Sequence, residues 1–525
     1  MYWLNENSKI FLSKGYLMEG VTAEERIREI AKKAETYLNK PGFADKFYDY
    51  MSKGFYSLAS PVWSNYGLKR GLPISCFSSY IADDMSRILY THAEVGMMTK
   101  YGGGTAGHFA GLRPRGAPIK DNGTSSGSVH FMELFDNLIN IVSQGSVRRG
   151  HFAPYLPVEH KDIEEFLNIG TEGHPIQEST YSVTVTDAWL KAMVEGDEEK
   201  RKTWAKIIQR RTEIGYPYIL FSDTVNNNTV DVYKDKKMKI HGSNLCSEIC
   251  LPTSDEISFV CCLSSINIRH YKEWKDTDAV ETLVMFLDTV ITDFLENLEV
   301  LKNSEDPEKQ TAFYFMQRAY KFAKEHRALG LGVLGWHTYL QENNIPVESD
   351  EANSLNKEIF KLIKEKSYKA SADMATEYGE PEILKGYGRR NTTLLAIAPT
   401  TSSAFILGQV SQGIEPYMSN AFVKDVDKMK VTIKNPALVE LLEAKGQNTP
   451  EVWGSIRDND GSVQHLTFLT PHEKMVFRTF SEIDQKVIIN QAADRQKYID
   501  QAQSLNLMVD PTMPIKELNA LYLYA

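Results

Sequence analysis

Apolar positions along the chain follow two patterns. Between residues 20 and 56, Ala31, Ala34 and Leu38 and then Phe43, Phe47 and Met51 recur at spacings of three and four, which predicts a small helical N-terminal portion. Beyond it, short apolar runs bounded by turn formers predict strands at 72–81 (LPISCFSSYI), 181–186 (YSVTVT), 216–221 (YPYILF), 257–268 (ISFVCCLSSINI) and 392–399 (TTLLAIAP). Segments 129–142, 202–214 and 280–298 instead carry apolar residues at helical spacing. Strands alternating with helices imply an α/β architecture, either an open sheet or a barrel, and the pattern does not choose between them. Internal repeats, heptads and low-complexity linkers are absent from the sequence, so one long compact unit is the simplest organisation.

With 525 residues, 42% of them hydrophobic, the chain can bury a large core. A formal charge of −10 excludes a surface built to neutralise a phosphate backbone, so no nucleic-acid partner is expected, while a small anion in a local pocket stays allowed. The sequence has no apolar run of the ~20 residues that would span a bilayer. Its start, MYWLNENSKIFLSKGYL, lacks the basic and apolar regions of a secretion signal. A cytoplasmic protein without membrane attachment is expected. The five cysteines, Cys76, Cys246, Cys250, Cys261 and Cys262, do not suggest a secreted disulfide framework, so any disulfide is expected to be chemical rather than structural.

Several motifs have a functional and a bland reading. Gly102, Gly104 and Gly107 spell a formal GxGxxG, but the stretch follows a helical segment and precedes an extended one, the reverse of a dinucleotide fingerprint. It reads as a flexible glycine-rich connection. Four cysteines between 246 and 262 suggest zinc, yet their spacing departs from paired CxxC, and neighbours on a strand face opposite ways. A packed, inert thiol is the ordinary alternative for any one of them. In IAPTTSSAFILG, a strand-like run ends at Pro399 and hydroxyls at Thr400, Thr401, Ser402 and Ser403 precede an apolar helical segment. Four such residues lean towards a phosphate site, where an ordinary helix cap needs one. SQGSVRRG, 143–150, is either a solvated turn or a mobile loop aiming Arg148 or Arg149 at a ligand.

In order along the chain, LASPVWSN, ISCF, GAPIKDNGTSSGSVHF, SQGSVRRG, SNLCSEI, CCLSSIN, RALGLGVLGW, APTTSSA and QGIEP resemble the large, catalytic subunit of class I ribonucleotide reductases, especially short bacterial forms without an N-terminal ATP-cone. The resemblance implies a ten-stranded α/β barrel, two antiparallel halves of five parallel strands around a central finger loop. A helical region at 1–58 would precede a barrel at 59–525. Cys246 inherits the role of thiyl-radical carrier, Asn244 orients the substrate hydroxyls, and Glu248 is the general base. Those residue types suit the chemistry. A thiyl radical can abstract the ribose 3′-hydrogen because S–H and activated C–H bonds are close in strength, and a carboxylate taking the 3′-OH proton helps expel the 2′-hydroxyl as water. Cys76 and Cys261 match the reducing pair, Cys262 would face away, and Cys250 would be a packed thiol.

Ser60, Ser75 and the turn of Pro399, Thr400, Thr401, Ser402 and Ser403 match substrate positions, the turn holding the diphosphate of a ribonucleoside diphosphate. Asp83, Lys120 and the 121–128 loop match the site of a deoxynucleotide or ATP effector, with Gln144 and Arg148 relaying its identity. Lys120 stands where an arginine is common, keeping charge but losing bidentate contact.

The resemblance implies no cofactor on this chain. It implies a homodimer, a small radical-generating subunit with an iron or manganese dimetal cofactor, and thioredoxin or glutaredoxin as reductant. Without a cone, control of overall activity by dATP is expected to be absent from this subunit. The sequence has no Tyr-Tyr dipeptide to pass a radical, Tyr522 and Tyr524 belong to the preceding helix, and no cysteine pair remains for a reducing tail. The expectation is therefore a truncated or split chain that binds nucleotides but does not turn over alone. Two alternatives stand beside this reading. One is an adenosylcobalamin-dependent class II reductase, against which NLCSEI rather than NPCGEI speaks; the other is a catalytically dead nucleotide-binding relative.

Overall fold

A computed structural model describes residues 1–142, 149–426 and 429–525. The N-terminal helices form as the spacing predicts. Thr22 caps the helix Ala23–Leu38 in a reciprocal box with Glu25, and a second helix spans Phe43–Ser52. Ala31, Ala34, Leu38, Phe43, Phe47 and Met51 are all buried. Phe47 stacks on Phe286 of the long helix Ala279–Lys302 with ring centroids 4.4 Å apart, so this region shares one apolar core with that helix and its neighbours.

The main sheet is built from β1 (Tyr56–Leu58), β2 (Cys76–Tyr80), β3 (Gly104–His108), β4 (Phe152–Pro157), β5 (Ser182–Val185), β6 (Tyr218–Phe221), β7 (Phe259–Asn267) and β8 (Leu329–Leu334). Strands β2 to β6 run parallel in sequence order, as right-handed strand–helix–strand connections produce. β7 lies antiparallel to β2 and also to β1, and β8 runs parallel to β7. Parallel bridges Leu331↔Leu395 and Ile397↔Gln503 extend this second, oppositely directed half. A small antiparallel hairpin, β9 (Ala421–Val426) and β10 (Met429–Lys434), stands apart.

Two local expectations are corrected. The GGGTAG stretch is not a flexible connection, because its last four residues belong to β3, buried along its whole length. Glycine serves close approach there: a Cβ at Gly103 would lie 2.2 Å from the Phe77 ring, and one at Gly107 2.6 Å from the Phe152 ring. Segment 392–399 forms single bridges rather than a regular strand. The half-buried Asp500 carboxylate accepts from the backbone N–H of Leu394 and Leu395 at 2.8 and 2.9 Å, occupying donors that a ladder would use. Among the described residues, no helix is long and apolar enough to cross a membrane.

Candidate active site

The antiparallel pairing of β2 and β7 puts Cys76 directly opposite Cys261. Both are reduced cysteines and both are buried. Burial, reinforced by Cys76, holds the Cys261 thiol well above the usual range, so it remains protonated. Gly330 on β8 leaves the space Cys261 occupies, since a Cβ there would sit 3.1 Å from its Sγ. Cys262 takes the other face of the strand, where its Sγ donates to the Leu287 carbonyl in the helix Ala279–Lys302 at 3.5 Å.

The loop carrying Asn244, Cys246 and Glu248 contacts both halves of the sheet. Ser78 of β2 and His108 of β3 donate to the Ser243 carbonyl at 3.1 and 3.0 Å. Tyr155 of β4 donates to the Asn244 carbonyl at 2.7 Å. From the opposite half, Gln501 accepts from the Cys250 N–H at 3.2 Å and Ala502 donates to the Glu248 carbonyl at 2.9 Å. Because the Ser243 carbonyl can only accept, His108 carries its proton on Nε2 and its Nδ1 accepts from Thr253 at 3.0 Å. Burial lowers the His108 pKa to about 3, which keeps the ring neutral.

At the loop tip, Asn244 to Ser247 form a turn with Ser247 in the left-handed region at φ +68°, and Cys246 at the tip is partly exposed. Asn244 is buried and works in two directions. Its Oδ1 accepts from the backbone N–H of Glu248 and Ile249 at 3.1 and 3.2 Å, while its Nδ2 donates to the Cys76 Sγ at 3.2 Å. One side chain thus joins the tip to the buried thiol pair.

Glu248 is buried, and its Oε2 has no hydrogen-bond partner among the described residues. Desolvation raises its pKa from 4.5 to about 7, against smaller lowering effects from its own backbone N–H and from Asn244. An orphaned carboxyl that titrates near neutrality is suited to exchange a proton with a bound molecule. Cys250 is buried and burial raises its thiol to about 12, which fits packing.

The other predicted positions form two further groups. Thr400 precedes the short helix Thr401–Ile406 and its Oγ1 accepts from the Gly413 N–H at 2.7 Å. Ser57 of β1 donates to the Ser403 carbonyl at 3.2 Å, which brings the 399–403 turn beside β1 and the helix that Ser60 opens. Ser75 is buried next to Cys76, and its carbonyl accepts from Gly104. Elsewhere, Arg113 binds the Asp83 carboxylate at 2.7 Å and the Pro118 carbonyl at 2.9 Å, tying Asp83 to the loop that carries the exposed Lys120. Gln144 and Arg148 lie outside the described residues. Sequence reasoning missed His108, Tyr155 and Gln501, buried polar groups whose partners are remote in the chain.

Comparison with known proteins agrees with this architecture. The chain matches the family described as "Ribonucleotide reductase, barrel domain" over residues 74–200, 197–383 and 381–525. It is 31% identical to the "Ribonucleoside-diphosphate reductase large subunit" of Invertebrate iridescent virus 3 over 591 aligned positions, covering 98% of this chain and 90% of that protein. The protein of the same description from Danio rerio is 28% identical, with 97% and 70% covered. The solved "Actinobacillus ureae class Id ribonucleotide reductase alpha subunit" superposes with a TM-score of 0.92 at 55% identity, covering 99% of this chain and 94% of that one. The chain therefore belongs to the ribonucleotide reductase family, and its fold is that family's α/β barrel. Within the family it is a large subunit of class I type.

Proposed function

We propose that this chain reduces ribonucleoside diphosphates to 2′-deoxyribonucleotides by thiyl-radical chemistry. The observation that carries the reading is the 3.2 Å contact from Asn244 Nδ2 to Cys76 Sγ, which joins the loop of Cys246 and Glu248 to the thiol pair. A radical on Cys246 takes the 3′-hydrogen of the substrate. Glu248 in its ionised form accepts the 3′-OH proton, and the 2′-hydroxyl leaves as water with a proton from the thiol pair. Cys76 and Cys261 supply two electrons and end as a disulfide, and Cys246 returns its hydrogen to C3′. The net change is one ribonucleotide and two thiols to one deoxyribonucleotide, one disulfide and water.

Asn244 orients the ribose hydroxyls. Ser60, Ser75 and the Pro399, Thr400, Thr401, Ser402 and Ser403 turn hold the substrate, with the diphosphate on the turn. Asp83 and Lys120, with Gln144 and Arg148, serve a deoxynucleotide or ATP effector across a homodimer. The radical comes from a small partner subunit with an iron or manganese pair, thioredoxin or glutaredoxin restores the thiols, and the enzyme works in the cytoplasm.

The test is deoxynucleotide formation from a ribonucleoside diphosphate by the full-length subunit mixed with a metal-radical partner. Product without cobalamin is expected. Product that requires adenosylcobalamin would overturn the class I mechanism, and none under either condition would overturn catalysis itself.

A further inference from the structure

The turn that presents Cys246 is closed only weakly by its own backbone, since the Ser247 N–H reaches the Asn244 carbonyl at 3.3 Å. A second closure comes from outside the loop. Tyr155 is buried on β4 opposite His108, and its phenol oxygen lies 2.7 Å from the Asn244 carbonyl and 2.9 Å from Ser247 Oγ. The carbonyl has no proton to give, so the phenol donates to Asn244 and the Ser247 hydroxyl donates back to the phenol oxygen. One oxygen thus bridges the residues at both ends of the turn, with Cys246 between them. Ser247 sits in the left-handed region that L-residues rarely adopt, so this backbone needs an external hold. The Tyr155 ring is fixed in turn by its edge contact with His108, at 5.5 Å between centroids, while His108 holds Ser243.

We propose that Tyr155 is a positioning residue for hydrogen abstraction, its hydroxyl fixing the turn so that the Cys246 sulfur meets the substrate C3′–H at reacting distance. The inference rests on the function proposed above. Without the hydroxyl the turn keeps its sequence and the ring its packing, but Asn244 and Ser247 lose their common anchor. Cys246 then samples positions from which abstraction is slow. Reaching a near-attack geometry is the step that suffers, whereas affinity for the nucleotide, anchored through its diphosphate on the 399–403 turn, changes little.

The experiment uses the full-length subunit with its radical partner and compares wild type, Tyr155→Phe and Ser247→Ala on substrate carrying hydrogen or deuterium at C3′. For Tyr155→Phe, kcat is expected to fall about tenfold or more with KM within twofold. The deuterium isotope effect on kcat should rise, because abstraction becomes more rate-limiting. Ser247→Ala, which leaves the Asn244 bond intact, should show a smaller fall and a smaller rise. It decides the matter by the same readouts if Tyr155→Phe does not fold. A kcat within twofold of wild type, or a fall in kcat with an unchanged isotope effect, overturns the proposal. Failure of the underlying function looks different: wild type itself is then inactive, or Cys246→Ser remains active.

Discussion

Glu248 buries a carboxyl with one oxygen unpartnered, and that has a cost that depends on pH. Its pKa is about 7 in the folded chain against 4.5 ordinarily. A shift of this size corresponds to roughly 3 kcal/mol at about 1.4 kcal/mol per unit. The folded pKa is the raised one, so the folded chain holds its proton longer than the unfolded chain. The associated stability is fully present below pH 4.5, declines as pH rises, and is gone above about 7. Glu248→Gln keeps the shape and cannot ionise. It should match wild type near pH 4.5 and exceed it by about 3 kcal/mol at pH 8. With an unfolding entropy of about 2 cal/mol/K per residue, 525 residues convert this to a Tm gain of about 3 °C. Thermal unfolding of both proteins from pH 5 to pH 8 reads it directly, and a Tm difference that does not change with pH would mean that Glu248 titrates alike in the folded and unfolded chain. With Glu248 as the proton acceptor proposed above, the stabilised variant should also lack turnover.

Three other outcomes rest on named contacts. Cys262→Ala should keep turnover while Cys261→Ala abolishes it, because Cys262 faces Leu287 rather than Cys76; product assays on the two variants check this. Gly330→Ala would place a Cβ 2.5 Å from Leu263 and 3.1 Å from the Cys261 sulfur, so overpacking of about 1–3 kcal/mol is expected in denaturant unfolding. Glu94 lies beneath the thiol-bearing strands, accepting from Ser79, Ser258 and the buried Arg318. Glu94→Ala leaves that guanidinium unpaired and should cost about 3–5 kcal/mol by urea unfolding, and a loss under 1 kcal/mol would contradict the burial argument.

Periodicity reveals elements whose faces differ. It found the N-terminal helices and β2, β5, β6 and β7, where apolar and β-branched residues dominate. It passed over β3, GTAGH, and β8, LGLGVL, because glycine-containing strands buried on both faces show no apolar–polar alternation to detect. In β4, Pro154 and Pro157 speak against a strand by rule, yet the segment pairs with β3 and β5. The site divides along similar lines. Asn244, Cys246 and Glu248 fall within one short motif, and the resemblance named them together with Cys76 and Cys261; spacing alone could not have paired those two thiols, because their juxtaposition depends on antiparallel pairing across the barrel. The hold of Tyr155, His108 and Gln501 on the loop is a set of long-range hydrogen bonds, for which a linear sequence carries no pattern.

The most direct measurement of the central claim is a rapid-quench first turnover without external reductant, with product assay, alkylation and peptide mapping of the full-length subunit and its radical partner. Deoxynucleotide is expected to form together with a Cys76–Cys261 disulfide, with Cys262 alkylated as a thiol, and Cys246→Ser should give neither product nor disulfide. Deoxynucleotide formed while Cys76 and Cys261 both stay reduced, or formed at the wild-type rate by Cys246→Ser, would contradict that claim.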